Sequence, residues 1–191
     1  MGMRTIVSLG GLSFERPHNK IERPCKGKSI IRDLSDYTIV DLETTGLDPT
    51  FDDIIEIAAL RVRSGVAVET FSSLVNPEYK INEFICELTG ITNDMLQTAP
   101  LISSVLPQFL NFVSNDIVVG HNVNFDVNFL YDHAVSLGLS PFSNDFVDTM
   151  RLSRKLMPKL PNHKLCMMAE IFKIDQTSVH RALADCQTTY E

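Results

Sequence analysis

Residues 37–47 read YTIVDLETTGL, a β-branched and aromatic run that ends in a polar turn. Such a run predicts a strand over residues 37–43, and the glycine and proline that follow predict a turn. Asp41 and Glu43 are two positions apart, so both carboxylates project from the same face of this strand. Two like charges on an otherwise apolar strand are costly unless a cation neutralises them.

Two further strand patterns follow at short intervals. Residues 54–62 and 66–75 are both apolar and rich in β-branched side chains, with short polar connections before and between them. Three strands in such quick succession predict an antiparallel meander.

The second half of the chain alternates between helical and strand patterns. We expect Ser103 or Ser104 to cap an amphipathic helix that runs to Val113. The remaining elements are expected as strands at 116–119 and 146–147 and as helices at 125–137, 149–156, 165–172 and 182–190. A meander followed by alternating helices and strands predicts an α/β fold, with a mixed five-stranded sheet flanked by helices.

Two more carboxylates lie near predicted element ends. Residues 121–126 read HNVNFD and place Asp126 in the first turn of a helix that leaves a buried strand. Residues 180–185 read HRALAD, in which His180 and Asp185 converge only if His180 lies in the loop before the helix. Each acid alone also has an ordinary explanation, as a residue at a frayed strand end or in the first turn of a helix.

Two hard divalent cations need a cluster of carboxylates. The predicted strand 37–43 and the segments 121–126 and 180–185 together supply four acids and one histidine. These residues are Asp41, Glu43, Asp126, Asp185 and His180. Mg²⁺ and Mn²⁺ prefer oxygen ligands and leave coordination positions for a substrate phosphate. Two such ions stabilise the attacking and leaving oxygens of a phosphodiester displacement, and a neutral histidine can accept the proton of the attacking water.

The segments DLETTG (41–46), HNVNFD (121–126) and HRALAD (180–185) together resemble the three motifs of the histidine-bearing DEDD family of 3′–5′ exonucleases. This family includes the proofreading epsilon subunit of bacterial DNA polymerase III and the exonuclease domain of the Gram-positive polymerase III alpha chain. Three motifs in the right order are far more specific than any one of them. The resemblance spans about residues 36–191 and implies a ribonuclease H-like fold. Similar connecting segments are IIEIA (54–58), LVNP (74–77), LTGIT (88–92) and VDT (147–149).

The resemblance also implies a role for each of the five residues. Asp41 is expected to bridge both metal ions, with Glu43 and Asp185 completing the nucleophile-side site. Asp126 is expected to support the leaving-group-side ion, and His180 to be the general base. The implied reaction releases nucleoside 5′-monophosphates from single-stranded or frayed 3′ ends of DNA, in proofreading or repair.

Four further residues match positions that hold substrate in similar enzymes. Thr44 and Leu47 are expected at the terminal nucleotide, with Leu47 as an apolar wedge, although a turn role and a core role explain them equally well. Phe125 is expected to contact a sugar or to belong to the core. Asn122 is expected to bond the substrate backbone or its own turn.

Composition and charge limit the domain organisation and the kinds of partner that this chain can have. With 191 residues, 44% of them hydrophobic, the chain is long enough for one compact domain with its own core. Its net charge of −7 by itself argues against nucleic acid as a partner. Residues 151–181 nevertheless carry seven Lys and Arg against two acids. This basic stretch either follows the phosphates of DNA or is a solvated face.

The N-terminal region and the cysteines bear on organisation and location. Residues 1–35 lack sustained periodicity and are expected to be an arm, linker or tag before an exonuclease domain at 36–191. There is no apolar run long enough for a membrane span and no typical signal peptide. The four cysteines, at positions 25, 86, 166 and 186, form no CxxC pair, which favours a reducing cytoplasm.

The expected partners are a single-stranded DNA 3′ end and, as a candidate, a replicative DNA polymerase, with no membrane. Two alternatives stay open on sequence alone. One is an exoribonuclease that trims RNA 3′ ends, because contacts to the 2′-hydroxyl cannot be read from the sequence. The other is a catalytically silent module that keeps the fold in order to dock a polymerase.

Overall fold

The computed structural model describes residues 5–9, 12–16, 22–175 and 180–191, and of the first two ranges it describes the backbone. It contains a separate antiparallel hairpin and a central five-stranded sheet. The hairpin strands are β1 (Thr5–Leu9) and β2 (Leu12–Arg16). The central strands are β3 (Tyr37–Thr44), β4 (Ile54–Arg63), β5 (Val66–Leu74), β6 (Val118–Gly120) and β7 (Phe146–Asp148).

Helices connect and cover the strands of the central sheet. They are α1 (Glu83–Thr89), α2 (Asn93–Gln97), α3 (Ile102–Val113), α4 (Asn124–Ser136), α5 (Thr149–Leu156), α6 (Leu165–Phe172) and α7 (Ala182–Tyr190). None of these helices combines the length and the apolar character that crossing a bilayer requires, in the part of the chain that the structure describes.

The central sheet has the strand order β5–β4–β3–β6–β7. Strands β3, β4 and β5 pair antiparallel, whereas β6 and β7 pair parallel. The predicted α/β fold with a mixed five-stranded sheet is therefore confirmed. The parallel strands are reached by the crossover helices α3 and α4, as parallel pairing requires.

Alternation along β3 divides the core into two layers. Val40 and Leu42 face α3 and α4, where they join a large apolar cluster that includes Phe109 and Phe129. Ile39 faces the other way, toward a smaller cluster completed by α7. Because strand side chains alternate with a period of two, Asp41 and Glu43 also face α7.

Several expectations about individual elements need correction. The N-cap residue of α3 is Leu101, which has an extended backbone, and neither Ser103 nor Ser104 caps the helix. The bridge between Asn76 and Leu101 sets the chain direction there before any serine is reached. Helices α1 and α2 were not predicted, because neither reaches two full turns and so neither shows a sustained helical recurrence of apolar residues. The hairpin of β1 and β2 lies within residues 1–35, for which no regular element was expected.

Residues 22–30 run along the open edge of β7. The amide of Ile30 donates to the carbonyl of Phe146 at 2.8 Å, and the amide of Phe146 donates to the carbonyl of Lys28 at 2.9 Å. Arg23 forms a two-pronged ion pair with Asp132 on α4, with distances of 2.8 and 2.5 Å. This edge segment therefore covers β7 and ties it to α4, the helix that carries Asp126.

Candidate active site

The two acids of β3 stand in the middle of the sheet, between β4 and β6. Asp41 lies opposite Ala58 and Glu43 lies opposite Glu56 in the register with β4. Both acids are partly buried. Their shared face is the one predicted from the spacing of two, so the carboxylates project from β3 side by side.

Asp126 reaches β3 from the first turn of α4. Its carboxylate accepts a hydrogen bond from the amide of Leu42 at 3.1 Å, and the residue is only 4% exposed. The chain reaches α4 through a tight turn after β6, since a side chain on Gly120 would meet Val123 at 2.7 Å. Asp126 therefore lies where the sequence predicted, at the start of a helix that follows a buried strand.

His180 and Asp185 come from the start of α7. His180 precedes the helix with a left-handed backbone (φ +58°), and Asp185 lies in its first turn. One ligand atom from each of Glu43, His180 and Asp185 lies within 4.8 Å of the others. A regular helix would have separated His180 from Asp185, whereas this bend in the loop brings them together.

The carboxylates of the cluster are crowded, and Arg181 and His180 offset their mutual repulsion only in part. Removal from water, and then the neighbouring carboxylates, raise the pKa of Asp41 well above its ordinary value. Burial followed by Asp185 and Glu56 raises the pKa of Glu43 to about 8. Burial is also the main cause of the raised pKa of Asp126 and of Asp185. A protein that keeps such a cluster ionised at neutral pH needs positive charge at the site.

The donor set fits a divalent cation. Oδ1 of Asp185 is buried and has no hydrogen-bond partner among the described residues. A buried carboxylate oxygen without a donor is costly, and an ion bound to the cluster would satisfy it. Carboxylate oxygens with one imidazole suit Mg²⁺ or Mn²⁺, which prefer oxygen ligands. Asp41, Glu43 and Asp185 would hold such an ion, and Asp126 lies beside them.

The four expected substrate residues have distinct surroundings. Leu47 is 85% exposed, so it is not part of the core. Thr44 donates to the carbonyl of Gly46 at 2.6 Å and thereby shapes the turn below Leu47. Asn122 is exposed and has a left-handed backbone conformation. Its backbone amide donates to the carboxylate of Asp148 at 3.0 Å.

Phe125 is partly buried and belongs to the core side of α4. Its ring lies 4.8 Å from that of Phe129, measured between centroids. It also contacts the large apolar cluster beneath β3. The core explanation, one of the two that the sequence left open, accounts for these contacts.

Glu56 and Arg181 belong to the site region but were not singled out from the sequence. Glu56 is 2% exposed and lies opposite Glu43. Its two oxygens accept from the Arg181 guanidinium at 2.8 and 3.1 Å. The sequence does contain a signal for Glu56, because a glutamate inside the apolar run 54–62 needs a polar partner. The sequence does not identify that partner, because it lies 125 residues away.

Comparison with known proteins agrees with this geometry. A family model described as Exonuclease matches residues 38–191. The DNA polymerase III subunit epsilon of Aquifex aeolicus is 43% identical over 155 residues, which are 81% of this chain and 77% of that protein. The PolC-type DNA polymerase III of Caldanaerobacter subterraneus subsp. tengcongensis is 44% identical over 156 residues. Those residues are 82% of this chain but span only 11% of that relative's length.

Solved structures give the same answer for the fold. Exonuclease X in complex with 5′-overhanging duplex DNA superposes with a TM-score of 0.65 at 29% identity, covering 81% of this chain and 86% of that one. Exonuclease I of E. coli in complex with a dA16 oligonucleotide has a TM-score of 0.71 at 22% identity, over 82% of this chain and 39% of that one. The likeness to exonuclease I shows the fold alone.

Sheet, helices and carboxylate cluster together define a nuclease of the ribonuclease H-like class, as predicted. The match over residues 38–191 and the 43% identity to the epsilon subunit then make the assignment specific. The chain belongs to the exonuclease family. The family expectation drawn from the three motifs is thereby confirmed.

Proposed function

We propose that this chain is a divalent-metal-dependent 3′–5′ exonuclease that removes nucleoside 5′-monophosphates from single-stranded or frayed DNA ends. The observation that carries the proposal is the convergence of Glu43, His180 and Asp185 within 4.8 Å, beside the carboxylates of Asp41 and Asp126. These residues come from β3, from α4, and from α7 with the loop before it. The buried Oδ1 of Asp185 has no hydrogen-bond partner among the described residues, which supports a bound ion at this position.

In this proposal the carboxylates hold two Mg²⁺ or Mn²⁺ ions. Asp41 would serve both ions, Glu43 and Asp185 would serve the nucleophile side, and Asp126 would serve the leaving-group side. When bound, such ions supply the positive charge that stabilises the attacking and leaving oxygens of the phosphodiester.

His180 is the general base in this proposal. It is exposed at the mouth of the cluster, next to Glu43 and Asp185, where an incoming water would be in reach. A histidine that is neutral near pH 7 can accept a proton from that water at its free ring nitrogen. Its exposed position then lets the proton pass on to solvent.

Leu47 and Thr44 hold the terminal nucleotide in this proposal. An exposed leucine beside a carboxylate cluster can wedge against a base, and the bond from Thr44 to Gly46 keeps the turn in place. Asn122 is available to the substrate backbone, since its side chain is exposed. Phe125 supports this surface from the core side rather than by touching the sugar.

DNA is favoured as the substrate by the relatives, one of which is named DNA polymerase III PolC-type and the other DNA polymerase III subunit epsilon. Exonuclease X, at 29% identity, was solved with duplex DNA that carries a 5′ overhang. A replicative DNA polymerase is accordingly the proposed partner, and the cytoplasm the proposed location. An arm at residues 1–35 before a catalytic domain at 36–191 completes the proposed organisation.

A single digestion experiment tests the proposal. Matched DNA and RNA 15-mers, each labelled at the 5′ or the 3′ end, are incubated with the chain in Mg²⁺, Mn²⁺ or chelator. We expect 5′-labelled DNA to shorten stepwise with either metal and to stay intact in chelator. Faster shortening of the RNA would favour the exoribonuclease alternative, and intact oligonucleotides in every condition would favour the silent docking module.

A further inference from the structure

Glu56 and Arg181 join β4 to the start of α7. Arg181 donates through Nη2 to Oε1 of Glu56 at 2.8 Å and through Nε to Oε2 at 3.1 Å. The amide of Ala182 donates to the same Oε2 at 3.0 Å. Glu56 thus supplies the N-terminal cap that α7 does not obtain from a nearby side chain.

This arrangement directs both carboxylate oxygens of Glu56 toward Arg181 and the start of α7. Both of its oxygens already accept hydrogen bonds, and the side chain is 3% exposed. Arg181 is equally committed, because two of its three guanidinium nitrogens face Glu56. A planar, two-pronged pair fixes orientation more strictly than a single contact does.

The consequence concerns the residues on either side of Arg181. His180 has a left-handed backbone, which costs energy for a residue other than glycine and persists only where surrounding contacts enforce it. The contacts that follow it are those of Arg181 and Ala182 with Glu56. Asp185 lies one turn later, and its amide bonds the carbonyl of Arg181 at 3.0 Å.

We propose that the pair of Glu56 and Arg181 is a positioning device, which clamps the start of α7 so that His180 and Asp185 face Glu43. This inference rests on the proposed function, because its purpose is to assemble that site. It also assigns the Arg181 guanidinium to an intramolecular ion pair with Glu56, and so removes one cation from the basic stretch 151–181 that was expected to follow DNA phosphates.

The test compares Arg181→Lys and Glu56→Gln with the unaltered chain. The Arg181 side chain is 38% exposed, so the lysine variant is expected to fold even if the glutamine variant is unstable. Three quantities are measured: kcat and KM on a single-stranded DNA oligonucleotide, Mn²⁺ affinity without substrate by electron paramagnetic resonance, and the thermal midpoint. The matched control is Arg63→Lys. Arg63 lies on the same strand as Glu56, and this variant alters its 2.7 Å pair with Asp116.

We expect Arg181→Lys to lower kcat and Mn²⁺ affinity each by about tenfold or more, as loss of a residue that orients metal ligands does. KM should change by less than about threefold, and Arg63→Lys should leave kcat and Mn²⁺ affinity unchanged. Added guanidinium should restore part of the kcat lost in Arg181→Ala, because it can occupy the place of the missing side chain.

Two results would overturn the inference. If Arg181→Lys raises KM and weakens its salt dependence at constant kcat, Arg181 contacts phosphate. If only the thermal midpoint falls, the pair merely stabilises the fold. Mn²⁺ affinity separates this inference from the proposed function. If the unaltered chain cleaves no DNA but both variants lose Mn²⁺ affinity, the proposed activity is refuted and the positioning role is supported.

Discussion

The surroundings of Asp41 oppose its negative charge, and its pKa is raised well above the ordinary value by burial and by neighbouring carboxylates. The side chain projects from the central strand toward α7, and nearby carboxylates add to the cost of removing it from water. Asp116, in contrast, accepts hydrogen bonds from Thr38 at 2.6 Å and from Arg63 at 2.7 Å. In the proposed function Asp41 takes its counter-charge from a bound ion, whereas Asp116 is satisfied by groups of the chain itself.

Replacing Asp41 by asparagine should separate function from stability. We expect Asp41→Asn to lower cleavage at least about 10³-fold, since charge stabilisation by a bound metal is worth several kcal/mol. Without metal, removing a repelled charge should raise the free energy of unfolding by about 1 kcal/mol, or roughly 2–4 °C in midpoint. Calorimetry in chelator and an oligonucleotide assay measure both effects. The control Asp116→Asn should do the reverse, lowering the midpoint and leaving cleavage intact.

His180 should matter for the rate but not for ion binding. In the proposed mechanism it accepts a proton, so His180→Ala is expected to lower kcat by roughly 10²–10⁴-fold. Mn²⁺ affinity should be retained, because Asp41, Glu43 and Asp185 remain. Single-turnover kinetics and Mn²⁺ titration check the two expectations. A loss smaller than tenfold would show that another group accepts the proton.

Strand β3 combines a core face and a charged face in eight residues. Val40 and Leu42 anchor it to α3 and α4, and this anchoring holds Asp41 and Glu43 at fixed positions on the opposite face. Helix α7 approaches that face closely because its inward residues are small, including Ala182 and Cys186. The apolar half of the strand thus offsets the cost of its charged half.

The charged face of β3 should make the metal-free protein less stable as pH rises. The pKa of Glu43 is raised from its ordinary value of 4.5 to about 8. The folded state therefore binds more protons than the unfolded state in this interval, so stability falls as pH increases through it. We expect the midpoint in chelator to fall between about pH 5 and pH 8, and Mn²⁺ to restore it at pH 8. Glu43→Gln should flatten the fall, and a midpoint that rises over this range would contradict the argument.

The edge segment, residues 22–30, behaves as an additional element of the sheet. Lys26 donates to Asn124 at 2.7 Å and to Asn128 at 2.5 Å, on either side of Asp126 in α4. Gly27 passes so close to the neighbouring loop that an added Cβ would lie 1.8 Å from the carbonyl oxygen of Asn144. We propose that this part of the N-terminal arm belongs to the folded unit.

A single methyl group at position 27 should disturb that contact. Gly27→Ala is expected to lower the free energy of unfolding by about 1–3 kcal/mol, since the backbone must move away from Asn144. Chemical denaturation measures this loss. The control Glu22→Ala changes an exposed residue of the same segment and should be neutral. Equal stability of the two variants would mean that the segment does not contribute to folding.

Charge is distributed unevenly over the whole molecule. The net charge is −7, yet the exposed side chains of residues 151–175 include several cations. These are Arg151, Arg154, Lys155, Lys159, Lys164 and Lys173. Arg151 contacts Ser29 of the edge segment, and the others remain available to a polyanion.

Substrate affinity should report whether these cations contact DNA. If they do, raising salt from 50 to 200 mM should increase KM, with a slope of about 0.7 for each phosphate contact on a logarithmic plot. Lys159→Ala and Lys164→Ala should each reduce that slope. Arg32→Ala, an exposed cation outside the stretch, is the control and should leave it unchanged. A flat response in the unaltered chain would make the stretch a solvated face.

The sequence by itself determined the elements whose signals are local. Alternation on β3 places Asp41 and Glu43 on one face because a strand repeats every two residues. The bounds of α5, α6 and α7 could be predicted to the residue from local patterns and punctuation. The order of the three motifs then specified the fold and the family.

Only the tertiary structure decided which residues that are distant in sequence become neighbours in space. Glu56 pairs with Arg181, which is 125 residues away along the chain. The amide of Lys28 in the edge segment donates to Asp145, just before β7 and 117 residues away. Such partners depend on strand order, register and the path of the loops, which no local pattern encodes. Propensity acts over a few residues, whereas a buried charge is satisfied by whichever group the complete fold brings within hydrogen-bond distance.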